Sequence, residues 1–188
     1  TESIHNQIDR LSTLTGQLLT LARMDEENKI STYGRFLLSQ AADETASSFL
    51  ASAKLANKSI DINIDNDIYM SGDEKQIRQM FNILLDNAVK YSEPDSKIVV
   101  SLYKKGSKII FKTFNQVKDI DKGNNDKIFE RFYRHDTSRN SETGGFGIGL
   151  SVAKLIVTAH KGKIQAVSKD GRSLSIIVTF SAVQSNSN

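Results

Sequence analysis

The run GGFGIGLSVAKLIVTAHKGKI places Gly145, Gly147 and Gly149 at alternate positions and passes at once into an apolar-periodic helix. Glycines let a backbone bend and approach a ligand closely. A helix start adds unpaired N–H groups and a positive dipole end, which suit an anion such as phosphate. Neither Lys-Ser nor Lys-Thr follows the glycines, which argues against a Walker-type P-loop. In a second run, QMFNILLDNAVKYS, Phe81, Leu84, Leu85 and Val89 extend a buried stripe that begins at Ile77. Asn82, Asn87, Lys90 and Tyr91 interrupt it. Asn87 and Lys90 are three apart and share a helix face. An amide oxygen suits a hard cation such as magnesium, and an ammonium suits phosphate. Taken singly, the first run also fits a tight turn, and the second an ordinary solvated helix face.

The elements around these runs follow from periodicity. Ile4, Leu11 and Leu18 recur every seven residues, with Leu14 and Leu21 three places after the last two, and Ile8, Thr15 and Ala22 widen the stripe. A lone helix cannot bury such a stripe, so a helical hairpin or bundle shared between subunits is expected. After a joint around Asp25 to Gly34, one helix is expected from Leu38 to Asn57, then a strand alternating Ile60, Ile62 and Ile64. Asp73 and Gln76 form a capping-box pattern for a helix running to about Ser92. Two strands flank Lys105-Gly106. A polar stretch over 115–145 holds the aromatic island IFERFYR, a helix covers about 147–160, and two further strands close the domain. Helices collected between antiparallel strand pairs imply an α+β class, a two-layer sandwich with helices on one sheet face, preceded by the long N-terminal helix.

Composition narrows the classes. A chain of 188 residues has room for one full domain and a short appendage. A net charge of +3 from 25 basic and 22 acidic residues, with no basic run interleaved with aromatics, gives no nucleic-acid footprint. Without cysteine there is no disulfide, thiolate metal site or thiol catalysis. No stretch reaches the roughly 18 apolar residues of a membrane helix. Since the chain starts at Thr1, a piece of a longer protein is expected, itself not membrane-inserted.

In their order and spacing, QMFNILLDNAVKYS, IFERFYRHDTSRN and GGFGIGLSVAKLIVTAHKG resemble the N, F and G2 boxes of bacterial sensor histidine kinases. That family belongs to the ATPase group that includes DNA gyrase B, the Hsp90 chaperones and MutL. The resemblance runs from about residue 4 to residue 180. It implies residues 1–30 as the second helix of a dimerisation and histidine-phosphotransfer domain, 31–183 as the ATP-binding catalytic domain, and 184–188 as a disordered tail. It implies ATP and Mg2+, with Asn87 as the magnesium ligand and Lys90 and Tyr91 beside the nucleotide. Arg134 and Arg139 would reach the phosphates, and Gly145, Gly147, Gly149 and Leu150 would lie under them. Asn87, Lys90 and Arg134 would carry the catalytic roles. Residues 117–143 would form a lid over the nucleotide, anchored by Phe129, Phe132 and Tyr133. A response regulator, a homodimer through the N-terminal helix, and a cytoplasmic location beneath a parent in the bacterial inner membrane follow from the same likeness.

Three departures qualify it. The N box has asparagines four apart, whereas Ile83 holds the earlier place here, and Asn82 is rotated by about 100° from it. The Asp-x-Gly-x-Gly of the G1 box is replaced by Asn115, Val117 and Asp119. In the family that aspartate accepts a hydrogen bond from the adenine amino group. An uncharged amide oxygen there is worth about 1 kcal/mol less, so weaker ATP binding or a reshaped adenine pocket is expected. Finally, His5, His135 and His160 have no phosphoacceptor context, so the acceptor histidine is expected outside this chain. These departures also motivate an alternative, a degenerate nucleotide-binding or dimerisation module.

Overall fold

The computed structural model describes residues 33–133 and 148–182. The expected N-terminal heptad helix, the glycines Gly145 and Gly147, and the expected tail over 184–188 lie outside the described residues. The chain begins with β1 (Tyr33–Leu37), α1 (Leu38–Ser48), α2 (Leu50–Leu55), β2 (Ser59–Ile64) and β3 (Tyr69–Asp73). It continues with α3 (Glu74–Tyr91), β4 (Lys97–Lys105), β5 (Lys108–Gln116) and β6 (Gly123–Asn124). A 3-10 turn (Asp126–Phe129), α4 (Gly149–Ala159), β7 (Lys163–Ser168) and β8 (Ser173–Ser181) follow. Six strands form one sheet in the order β2-β4-β5-β8-β7-β6, while β1 and β3 pair separately.

β4 and β5 form the expected hairpin, with Lys105 opposite Lys108 and Gly106 at φ +59°, a turn conformation that glycine adopts without strain. Their alternation buries Ile98, Val100 and Leu102 on one strand and Ile109, Phe111, Thr113 and Asn115 on the other. That face carries the helices, since Phe81 of α3 meets Phe111 with ring centroids 4.5 Å apart. The result is a two-layer α+β sandwich with one continuous core.

Three elements differ from the sequence reading. The expected helix from Leu38 to Asn57 is two helices separated at Phe49. Just before the break, Thr45 Oγ1 and Ser48 Oγ donate to the carbonyls of Ala41 and Thr45, and such back-bonding bends helices. The run SIDINIDNDIYMSG is two strands in two sheets, with Asp67 at φ +57° turning the chain between them. The large sheet is mixed, because β2 lies parallel to β4, with Ser59 opposite Lys97. A crossover through β3 and α3 makes that pairing possible.

Candidate functional site

α3 starts as its sequence demands. Asp73 Oδ1 accepts the N–H of Gln76 at 3.1 Å, and Ile77, Met80, Phe81, Leu84, Leu85 and Ala88 form the buried stripe. Asn87 lies just off that stripe and is half-buried, whereas Lys90 and Tyr91 stand at the exposed margin of the last turn. Lys90 Nζ donates to Asp86 Oδ2 at 2.7 Å, an i,i+4 pair with both partners about half exposed. A pair so exposed is weakly held, and a phosphate can draw the ammonium away. The Lys58 ammonium donates to Val89 O at 2.6 Å, closing the last turn. Partial burial holds its pKa below the ordinary lysine value, and the nearby Glu93 carboxylate offsets part of that.

Two hydrogen bonds fix how the walls of the site run. The Glu93 N–H donates to Gln116 O at 2.9 Å, so α3 and β5, which touch at Phe81 and Phe111, both run toward the same end. Asn115 therefore lies at the α3 C-terminal end, on the helix-facing side of the sheet. His160, directly after α4, accepts the Asp73 N–H at 3.0 Å. The end of α4 thus lies beside the start of α3, and the two packed helices run antiparallel. With 11 residues against 18, α4 covers about three turns of α3. Its start, with Gly149 and Leu150, comes level with about Leu84, roughly one turn before Asn87.

Asn87, Lys90, Tyr91 and Asn115 thus lie toward the C-terminal end of α3, the end toward which the start of α4, with Gly149 and Leu150, also points. Asn115 is 3% exposed, and its Nδ2 reaches Gln116 O only at 3.4 Å, the outer limit of a hydrogen bond. Its amide is largely uncommitted among the described residues. The start of α4 has no side-chain cap and no acidic residue in its first turn, and Ser151 Oγ donates to Ile148 O instead of accepting an N–H. Among the described residues nothing caps those donors or offsets the dipole, a start that suits an anion. No group of three or more His, Cys, Asp or Glu suited to a metal occurs among the described residues. A cation at Asn87 would need oxygens from a phosphate ligand or water, which is how magnesium is usually held.

The other expectations divide. Ile83 packs against the core, and Asn82 Nδ2 donates to Arg78 O on the exposed side, so Asn82 does not replace the missing asparagine. Phe129 is buried and docks the 3-10 turn on α4 and β7, aided by Asp126 Oδ1, which accepts the Ala166 N–H at 2.8 Å. Phe132 is not buried as an anchor among the described residues: it is 70% exposed at φ +64°. Tyr133 is half-buried, with Lys127 Nζ 5.8 Å from its ring centroid. Arg134, Arg139, Gly145, Gly147, His5 and His135 lie outside the described residues. Sequence reasoning missed the commitment of Lys90 to Asp86, although the four-residue spacing was open to view. It also missed His160, whose partner Asp73 is 87 positions away.

Comparison with known proteins identifies the family and the fold. The family model described as histidine kinase-, DNA gyrase B-, and HSP90-like ATPase matches residues 72–184. The sensor protein DltS of Streptococcus agalactiae serotype III is 33% identical over 165 residues, 88% of this chain and 42% of that protein. The sensor histidine kinase YkoH of Bacillus subtilis is 32% identical over 183 residues, 96% of this chain and 38% of that protein. The chain thus spans about two fifths of these curated relatives. In fold it resembles the Acinetobacter baumannii histidine kinase AdeS (TM-score 0.77, 24% identity, covering 96% of this chain and 83% of that one). It also resembles the histidine kinase ThkA, solved in complex with the response regulator protein TrrA (TM-score 0.72, 20% identity, covering 98% and 51%). An uncapped helix start facing an asparagine-bearing helix over a mixed sheet, together with a match over more than half its length, places the chain in the histidine kinase-, DNA gyrase B- and HSP90-like family of ATP-binding domains.

Proposed function

We propose that this chain is the ATP-binding catalytic portion of a two-component sensor histidine kinase. It would pass the ATP γ-phosphoryl group to a histidine outside the chain, and from there to an aspartate on a response regulator. The antiparallel seating of α4 on α3 supports this reading, because it directs the start of α4, which has no side-chain cap among the described residues, toward the end of α3 that bears Asn87. The N–H groups of Gly149 and Leu150, and by the motif those of Gly145 and Gly147, would cradle the phosphates. Asn115 would meet the base, and Tyr91 would flank the nucleotide. Asn87 would hold Mg2+ through its amide oxygen, and the ion would neutralise phosphate charge during transfer. Lys90, released from Asp86, would balance charge with Arg134 and Arg139. Sensor kinase names among the relatives, and the ThkA complex with its regulator, support the response-regulator assignment. Residues 1–30 would supply the homodimer helix, and the parent would sit in the bacterial cell membrane.

Calorimetry with ADP or a non-hydrolysable ATP analogue, with and without magnesium, tests the binding step. Asn87→Ala should lower magnesium-dependent affinity at least tenfold, about 1.4 kcal/mol. Unchanged affinity would remove Asn87 from the site. Mixing the chain with Mg-ATP and a separately made dimerisation domain should give acid-labile phosphohistidine. Tight binding without transfer would favour the non-catalytic module, a reading that Ile83 at the N box and Asn115 at the G1 box support.

A further inference from the structure

The end of α4 remote from the phosphates is held by a residue that the proposed chemistry does not use. His160 is 9% exposed. Its Nδ1 lies 2.8 Å from Ile156 O, and its Nε2 accepts the Asp73 N–H at 3.0 Å. A backbone N–H can only donate, so Nε2 presents the lone pair and Nδ1 carries the proton. One nitrogen is tied to the last turn of its own helix, and the other to the residue that caps α3. The ring stacks with Tyr33 of β1 at 6.1 Å between centroids and meets Phe180 of β8 edge-on at 6.5 Å. Gly72 makes room for it, since a Cβ there would stand 2.7 Å from the imidazole Cδ2.

We infer that His160 is a positioning residue that sets the lengthwise register of α4 on α3, and with it the distance from the glycine-led helix start to Asn87. The inference rests on the proposed nucleotide site. The buried face of α4 is mostly apolar (Val152, Ala153, Ile156 and Val157), and apolar burial is non-directional. It resists separation of the helices more than sliding. The Asp73 to His160 hydrogen bond is directional and connects the two helices end to end. A three-turn helix conveys a shift at one end to the other, and a misplacement of about 1 Å is enough to spoil a reacting geometry.

The test uses the 188-residue chain, with calorimetry of Mg-ADP and Mg-AMP-PNP below the melting temperature. His160→Phe keeps the ring and gives up both hydrogen bonds, whereas His160→Gln retains an acceptor for Asp73. We expect His160→Phe to weaken AMP-PNP at least fivefold and ADP less than twofold, because the γ-phosphate depends most on the helix start. His160→Gln should restore AMP-PNP affinity to within twofold of wild type. Gly72→Ala, which displaces the ring without deleting it, should show the same selective loss and serves if His160→Phe fails to fold. Folded variants with wild-type affinities, or with equal losses for both nucleotides, would overturn the inference. A wild-type chain that binds neither nucleotide overturns the nucleotide reading itself, a result distinct from any pattern among the variants.

Discussion

The two helices that flank the site begin in opposite ways. α3 starts on Asp73, whose carboxylate accepts the Gln76 N–H, and carries Glu74 in its first turn. α4 starts on Ile148, which has no side chain able to cap, and its first turn contains no acid. The same four orphan donors arise at each start. In α3 the Asp73 side chain satisfies one of them, the Gln76 N–H, and Glu74 adds charge that suits the dipole. In α4 no side-chain cap and no first-turn acid meets them among the described residues, which is the start the proposed nucleotide would use. A capped start belongs to stability and an uncapped one to binding, so the same kind of substitution should have different consequences at the two places.

The largest effect should come from the packing that supports both starts. Phe81→Ala removes a fully buried ring in contact with Phe111 and should cost about 3–5 kcal/mol in chemical denaturation, with nucleotide binding and helix content lost in one transition. Separate transitions would show that the helices are not one cooperative unit. Next, Gly149→Glu places a carboxylate in the first turn of α4. Calorimetry should find nucleotide affinity at least tenfold lower, about 1.4 kcal/mol, with the melting temperature kept or raised by the dipole. Intact binding would sink the proposed use of this start. At the other start, Asp73→Ala should cost about 1 kcal/mol of stability while affinity well below the melting temperature changes less than twofold. The smallest effect concerns the outer side of α3, where Arg78 bridges Glu74 and Glu44 of α1 at 2.8 and 2.9 Å. Hydrogen bonds from Gln40 and then Arg78 hold the Glu44 carboxyl below its ordinary 4.5. A depressed folded value means stability present above the unfolded pKa and lost as pH falls through the folded one. Glu44→Gln should therefore lower the melting temperature by about 1–2 °C at pH 7 and by nothing measurable at pH 2–3.

What could be read from the sequence was local. The β4–β5 hairpin, the Asp73 cap and the apolar stripe of α3 are written within a few residues of one another. The glycine run announced its helix start for the same reason. β1 escaped notice because Tyr33, Gly34 and Arg35 are all exposed, so the strand has no alternation to detect. β3 was absorbed into β2, since the turn at Asp67 separates two stretches of similar composition. The parallel pairing of β2 with β4 depends on strands nearly forty positions apart, a relation that periodicity does not carry. Among the candidate residues, the hydrogen-bond commitments were not legible. Asn115 shows no sign in the sequence of having an uncommitted amide, and His160 shows none of gripping α3.

The strand order has a consequence for biosynthesis. β8, the last strand of the domain to leave the ribosome, is an interior strand of the sheet, flanked by β5 on one side and β7 on the other. β5 pairs with it from Lys108 opposite Ser181 to Gln116 opposite Ser173, so during translation β5 waits several seconds for its neighbour at roughly 5–20 residues per second. Until then the nascent chain bears a half-built sheet whose β5 edge, from Lys108 to Gln116, lacks its neighbour, and an unpaired edge is a template for pairing with another chain. A chain cut a dozen residues before Ser181 lacks all of β8 and cannot join β5 to β7, so the last nine residues of the sheet decide whether it closes.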